Sequence, residues 1–89
     1  MLNYLNILEI LENLIEEKFY NEKLYKFYAN QLNITTKHLN RVVKETLDKI
    51  TSELISERIV LEAKRLMVNS NINFANIANK LNFSDYAYF

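Results

Sequence analysis

The sequence predicts an all-α fold in which two short helical units flank one long central helix. Apolar residues recur at three- and four-residue steps through most of the chain, which is the period of an amphipathic helix. A seven-residue signature also occurs twice, at 29–35 and again 49 residues later at 78–84. Both copies read small, Asn, polar, Leu, Asn, apolar, hydroxyl, and a helix-patterned run at 51–69 lies between them.

Composition narrows the class of protein. The chain has 89 residues, enough for one domain, and contains no cysteine, glycine or proline. The missing cysteine excludes a disulfide framework, a thiol nucleophile and a cysteine zinc site. No run is long enough to span a membrane and no signal peptide is recognised, so a cytoplasmic location is expected. Thirteen asparagines are expected to take over turn and cap positions.

The first element is predicted to be an amphipathic helix from about Asn3 to Phe19 that serves as scaffolding. Its polar side carries four glutamates, which could in principle bind a metal ion. No histidine accompanies them and a solvated face is the commoner explanation, so we predict no metal site. The apolar positions are Tyr4, Leu5, Ile7, Leu8, Leu11, Leu14, Ile15 and Phe19.

The repeated signature has the spacing of two helices that meet at a tight turn. In the first copy, Ala29 permits close helix crossing, Asn33 accepts the left-handed conformation that ends a helix, and Thr35 caps the next helix. In the second copy, Asn82 and Ser84 occupy the turn and cap positions. This layout is a helix-turn-helix, whose second helix enters the major groove of DNA. Chance similarity in an asparagine-rich chain is the alternative.

The first unit is predicted to contain two helices. One runs from about Glu22 to Leu32 after an Asn21 cap, and the next runs from the Thr35 cap to about Leu47. Asp48 is expected to end this second helix, because Asp tolerates the left-handed region. Its inner face is predicted to pack through Leu39, Val42 and Val43.

The outer face of the 35–47 helix carries the residue types that read bases in the major groove. Arg and Lys donate to guanine, and Asn pairs with adenine. His38 is the only histidine and has no nearby carboxylate to orient it, so we expect a phosphate neighbour or a half-exposed packing residue. The outer face presents Thr36, Lys37, Asn40, Arg41 and Lys44.

The charge distribution favours nucleic acid more than the net charge does. Net charge is zero, but the segment 23–44 contains five cations and no acid, whereas 1–22 contains five glutamates and one lysine. A local basic segment is expected of a DNA-binding surface, and an ordinary solvated helix face is the alternative of equal weight. The cations are Lys23, Lys26, Lys37, Arg41 and Lys44.

The central helix is predicted to run from Thr51 to Asn69, capped by Thr51 or Ser52 with Glu53 in its first turn. A run of this length spans roughly 28 Å and would hold two recognition helices near successive major grooves. Arg58, Lys64 and Arg65 are available for phosphates or for ion pairs with Glu57 and Glu62. The apolar stripe is Leu54, Ile55, Ile59, Ala63, Leu66 and Met67.

The last stretch is predicted to hold a fifth helix, capped by Asn73 and ending near Leu81, and the start of a sixth. The sixth has barely two turns and none of the Arg, Lys or Gln side chains expected of a reading helix, so the second unit is expected to be truncated. The chain is thus predicted to be one domain, divided into 3–47 for the N-terminal helix and first unit, 51–69 for the linking helix, and 73–89 for the second unit.

With these pieces in order, the chain resembles the C-terminal DNA-binding domain of the AraC/XylS family of bacterial transcription regulators, from about Leu5 to its end. Several spaced motifs carry the resemblance. They are Tyr28-Ala29 to Leu32; Thr35 with His38-Leu39-Asn40-Arg41 and Lys44; Ser52-Glu53-Leu54-Ile55 with Arg58, Ala63 and Leu66; and Ile77-Ala78 through Leu81-Asn82-Phe83-Ser84 to Tyr88-Phe89.

The resemblance implies a transcription activator or repressor that binds double-stranded DNA, with RNA polymerase as a candidate second partner and no cofactor. Effector sensing in this family, where present, belongs to a separate domain, which this chain does not contain. The family usually has Gly where this chain has Asp48 and Asn82, and both substitutes tolerate positive φ. By similarity, base reading falls to Lys37, Asn40 and Arg41, and backbone or flank contacts fall to Thr35, Thr36, His38, Lys44, Ser84, Tyr86 and Ala87.

Two other classes of function compete with DNA binding. A helical protein-interaction domain is the main alternative, favoured by the zero net charge and the apolar first helix. An enzyme is not predicted, because the chain has no glycine loop, no catalytic motif and one unsupported histidine. With one complete unit, the chain alone is expected to bind DNA weakly or not at all.

Overall fold

The computed structural model describes residues 3–70 and 74–81, and every regular element in these ranges is an α-helix. The all-α prediction is therefore confirmed, and so is the long central helix. The predicted Asn73 cap and the predicted sixth helix lie outside the described residues. The helices are α1 (Tyr4–Lys18), α2 (Tyr25–Gln31), α3 (Thr36–Leu47), α4 (Thr51–Ser70) and α5 (Phe74–Lys80).

One apolar core joins the helices. Leu11 of α1, Tyr28 of α2, Leu39 of α3 and Ile55 of α4 are each at most 1% exposed, and Leu81 after α5 is 0% exposed. Burying one large apolar side chain contributes about 1.5–3 kcal/mol, so this shared core is the main source of stability. It also holds α3 against three other helices at once, since α1, α2 and α4 all contact it.

The predicted ends of α1 and α3 are confirmed by their caps. Asn3 Oδ1 accepts the Asn6 N–H at 2.8 Å, and Thr35 Oγ1 accepts the His38 N–H at 3.0 Å. Asp48 ends α3 in the left-handed conformation, with φ 57° and ψ 36°. Asp48 thus occupies a helix-ending position that glycine commonly fills.

Helix α2 begins later than the sequence predicts. Its cap position is Leu24, which makes no side-chain cap bond, so the predicted Asn21 cap is wrong. The preceding residues close α1 instead, because the N–H groups of Asn21 and Glu22 both donate to the Lys18 carbonyl oxygen, at 3.0 and 2.8 Å. The chain needs these residues for the turn before α2 can start at Tyr25.

The caps predicted for α4 are also wrong. Thr51 and Ser52 are both helical residues, so neither occupies the cap position. Thr51 is fully buried, and its Oγ1 has no hydrogen-bond partner within the described part of the chain. The residue before the helix is Ile50, whose side chain has no acceptor, and the first N–H of α4 is satisfied by a side chain of α3.

Two predicted core positions face solvent. Leu5 is 70% exposed and Met67 is 48% exposed, because each lies at the edge of its helix's apolar face. The other apolar positions predicted for α1 and α4 are buried or half-buried. Within residues 3–70 and 74–81, no helix combines the length and the hydropathy that crossing a membrane requires.

Candidate nucleic-acid interface

Helix α3 presents a row of cations on the side opposite the core. Leu39, Val42 and Val43 are fully buried, which fixes the rotation of the helix. Lys37, Arg41 and Lys44 are exposed and recur at steps of four and three residues, so they lie along one line of the helix surface. We call these three side chains the cationic stripe.

The turn before α3 has the compact geometry of a helix-turn-helix. The N–H groups of Leu32, Asn33 and Ile34 each donate to a carbonyl oxygen of α2 at 3.1 Å. Asn33 itself is left-handed, with φ 57°, and redirects the chain as predicted. Thr35 follows two residues later as the cap of α3, and its hydroxyl, which was expected near the DNA backbone, accepts the cap bond.

The C-terminal end of the cationic stripe is partly neutralised. Lys44 Nζ lies 2.8 Å from Asp48 Oδ1, and both side chains are largely exposed, at 62% and 88%. Their hydrogen bond raises the pKa of Lys44 and lowers the pKa of Asp48. Lys37 and Arg41, in contrast, make no ion pair among the described residues, so they are the cations on α3 that are ready for phosphate or base contacts.

Asn40 lies beside the stripe but is turned toward the protein. It is half-buried, and its Oδ1 accepts the Thr51 N–H at 3.0 Å. A bidentate contact to adenine uses both the oxygen and the nitrogen of an asparagine amide. The base-reading role expected of Asn40 would therefore compete with this bond to α4.

The flanking residues are partly covered. Thr36 and His38 are half-buried, and the His38 ring meets the Tyr4 ring edge-on, with centroids 6.1 Å apart. The packing role expected of His38 is therefore present in the structure. Its phosphate contact, and that of Thr36, stay predictions.

The basic segment 23–44 does not act as one surface. Lys23 Nζ donates to the carbonyl oxygens of Phe19 and Tyr20, where it satisfies groups left open at the end of α1. Burial lowers the pKa of this Lys23 ammonium. Lys26 is exposed on α2, so the segment divides into a structural cation and several exposed ones.

On α4, two of the three predicted phosphate candidates form ion pairs instead. Arg58 donates to both carboxylate oxygens of Glu16 on α1, at 2.7 and 2.9 Å, and lies 4.2 Å from the centre of the Phe19 ring. Arg65 donates to Glu62 at 2.8 and 2.6 Å. Lys64 is exposed and has no ion pair in the part of the chain that the structure describes.

The second unit contributes little to the described surface. Helix α5 packs against α4, with Ile77, Ala78 and Leu81 buried. The predicted site residues Ser84, Tyr86 and Ala87 lie outside the described residues, so their roles stay predictions. Among residues 3–70 and 74–81, no cluster of three metal-ligating side chains occurs.

Two polar contacts between distant segments of the chain were not predicted from the sequence. One is the bond that the Thr51 N–H, at the start of α4, donates to Asn40 Oδ1, and the other is the bond that the Tyr20 hydroxyl donates to the buried Glu62 carboxylate. A partial signal for the first existed. The N–H of the first residue of a helix has no partner within the helix and is not the one that a cap side chain bonds, so the first N–H of α4 needed a partner from elsewhere.

Comparison with known proteins gives one match. A family model described as a helix-turn-helix domain matches residues 28–89, which is more than half of the chain. The match begins in α2 and therefore includes the first turn, the cationic stripe and the linking helix. No curated protein and no solved structure matches the chain at a significant level.

Proposed function

Since the chain belongs to the AraC-type helix-turn-helix family of DNA-binding domains, we propose that it is a sequence-specific regulator of transcription that reads DNA with α3. The observation that carries this proposal is the cationic stripe. Lys37 and Arg41 stand exposed on the helix that follows the turn, in the place where such a unit contacts the major groove.

Within this proposal, Lys37 and Arg41 donate to base edges. Both residues carry long, exposed donors, and Arg or Lys to guanine is the commonest base-specific contact. Lys44, the Thr36 hydroxyl and the His38 ring then lie at the flanks, where phosphates are the natural ligands. Ser84, Tyr86 and Ala87 would extend the contact through the second unit.

The proposal fixes the expected ligand and location. The ligand is double-stranded DNA, which the chain would meet in the cytoplasm, and no cofactor is required. RNA polymerase is a candidate second partner if the regulator activates transcription. Neither role requires a catalytic residue.

Selection from a random duplex pool tests the reading role. The wild type, an Arg41→Ala variant and a Lys18→Ala variant are compared at two salt concentrations. Lys18 is an exposed cation on α1, so its removal gives the same change in charge away from α3. We expect Arg41→Ala to relax the preference at one base pair, at a cost of about 1–3 kcal/mol for the preferred base.

Lys18→Ala should keep every preference of the wild type. Equal preferences in Arg41→Ala and the wild type would overturn the assignment of Arg41. A wild type that binds duplex DNA but enriches no sequence would overturn sequence-specific binding itself.

A second candidate function is a protein-interaction domain, which the outer side of α4 favours. Leu61 is 60% exposed and Val68 is 82% exposed, so apolar side chains are available there for a partner. Salt dependence separates the two functions. Binding through phosphates weakens steeply as salt rises, whereas binding through an apolar surface does not.

A further inference from the structure

We propose that Asn40 is a positioning residue, which fixes the orientation of α3 by capping α4, and not one of the base-reading residues. This inference rests on the proposed function, since it assigns how the reading side chains are held. It departs from the base-reading role that the family resemblance implies for this position.

The start of α4 lacks a cap of its own. The first N–H groups of a helix have no partner within the helix, and the residue before the first turn usually supplies one with a side-chain oxygen. Here that residue is Ile50. Its own N–H is satisfied by Glu53 Oε1 at 3.0 Å. A cap side chain reaches the N–H of the second or third helical residue, so the N–H of Thr51, the first residue of α4, needs an acceptor from elsewhere.

Asn40 supplies the missing acceptor from 11 residues away. Thr51 is 0% exposed, so water cannot replace a lost partner on its N–H. The Thr51 hydroxyl makes no hydrogen bond within the described ranges and therefore does not substitute. The Asn40 oxygen is thus the acceptor that this buried N–H requires.

The location of Asn40 on α3 makes its bond important for both proposed reading residues. Asn40 lies three residues after Lys37 and directly before Arg41, on the turn of α3 from which both readers project. Bonding Asn40 to α4 ties the rotation of α3 to the linking helix, and hence to the second unit packed on that helix. Losing the bond should disturb both readers together.

Two variants of Asn40 and one reader control test the proposal. Asn40→Ala removes the acceptor, whereas Asn40→Asp keeps an oxygen for the Thr51 N–H and loses the amide nitrogen that adenine recognition requires. Lys37→Ala serves as the control for a reader. Each is assayed by hydrogen exchange at the Thr51 amide in the free protein, and by selection from a random duplex pool at a temperature where every variant is folded.

We expect Asn40→Ala to expose the Thr51 amide to exchange and to lower the folding equilibrium constant about fivefold. On DNA it should lower affinity and weaken the base preferences that Lys37 and Arg41 set together, not the preference at one position alone. Asn40→Asp should restore Thr51 protection and, at a salt concentration that screens its added charge, the affinity as well. Lys37→Ala should relax the preference at one position only.

Two results would overturn the positioning role. One is an Asn40→Ala variant that relaxes a single base pair while the Thr51 amide stays protected. The other is an Asn40→Asp variant that selects a different base. If the wild type selects no sequence, the proposed function fails and the positioning role fails with it, while the Thr51 exchange still shows whether the cap exists. If Lys37→Ala keeps all preferences, only its own assignment as a reader fails.

Discussion

The Tyr20 hydroxyl donates a hydrogen bond to Glu62 Oε2, which joins the end of α1 to the middle of α4 across 42 residues of chain. The Glu62 side chain is only 4% exposed, and the Arg65 guanidinium binds both of its oxygens. Arg58 lies 3.7 Å away on the other side. A buried carboxylate is therefore held ionised between two cations and a hydroxyl.

This arrangement predicts a loss of stability in acid. The pKa of Glu62 is about 2, below its ordinary 4.5, although burial alone would raise it. The hydrogen bond from Arg65 is the main cause of the low pKa, and the hydrogen bond from Tyr20 adds to it. Because the folded pKa is the lower one, the contribution is complete above about pH 4.5 and disappears as the pH falls toward 2. We expect it to amount to about 1–2 kcal/mol, since solvent around the outer parts of the arginines screens the pair.

Urea unfolding of the wild type and Glu62→Gln between pH 2 and 7 measures this contribution. The variant should be less stable at pH 7 and should lose less stability between pH 4.5 and 2. Glu57→Gln is the control, because Glu57 is 53% exposed and pairs with Lys49 at the surface. Parallel pH profiles for the wild type and Glu62→Gln would contradict the assignment.

Thr51→Val should leave stability unchanged or raise it by about 1 kcal/mol. The substitution keeps the shape of the side chain and removes a buried hydroxyl that has no partner among the described residues. Thr46→Val is the matched control, because the Thr46 hydroxyl donates to the Val42 carbonyl oxygen at 2.6 Å. Thermal unfolding should therefore show a lower melting temperature for Thr46→Val and an equal or higher one for Thr51→Val. A clear destabilisation by Thr51→Val would show that its hydroxyl has a partner.

Asp48→Asn should strengthen DNA binding at low salt. The change frees Lys44 from its ion pair and keeps a side chain that tolerates the left-handed conformation. One further phosphate contact would steepen the slope of log affinity against log salt by about 0.9. Glu45→Gln makes the same change in net charge on an exposed residue of α3 without freeing Lys44. Equal slopes for these two variants would mean that Lys44 does not contact phosphate.

Replacing asparagine with alanine should affect stability differently at Asn33, in the turn, and at Asn30, within α2. Asn33→Ala should cost about 1 kcal/mol, because alanine is strained at φ 57°. Asn30→Ala should be neutral or slightly stabilising, because Asn30 is exposed within α2, where alanine favours the helix. Chemical unfolding measures both, and Asn33→Gly, which should preserve stability, separates backbone strain from loss of the side chain.

Local rules predicted most of the fold. The cap at Thr35, the left-handed Asp48 and the buried face of α3 each depend on residues within one or two helical turns, so the sequence contains the whole signal. The early start predicted for α2 failed because the turn after α1 used residues that also suit a helix start.

Local rules did not predict the contacts between segments that are distant in the sequence. Arg58 was expected to meet phosphates or a glutamate on its own helix. It does lie 3.7 Å from Glu62 on that helix, but its two hydrogen bonds to Glu16 on α1 were not predicted. Asn40 fits a base-reading position by residue type and place, yet its oxygen faces Thr51. Both outcomes depend on how helices lie against one another, which periodicity along one helix does not specify.

Because Glu62 is buried, its ion pairs should respond to ionic strength differently from the exposed cations of α3. At 0.15 M salt the Debye length is about 8 Å, so mobile ions weaken the field of exposed cations such as Lys37 and Arg41, whereas an enclosed carboxylate in contact with its partners is hardly affected. Raising the salt should therefore release a bound polyanion at concentrations that do not yet weaken the junction between α1 and α4. The domain should then dissociate from its ligand while still folded, and it should bind again when the salt is lowered.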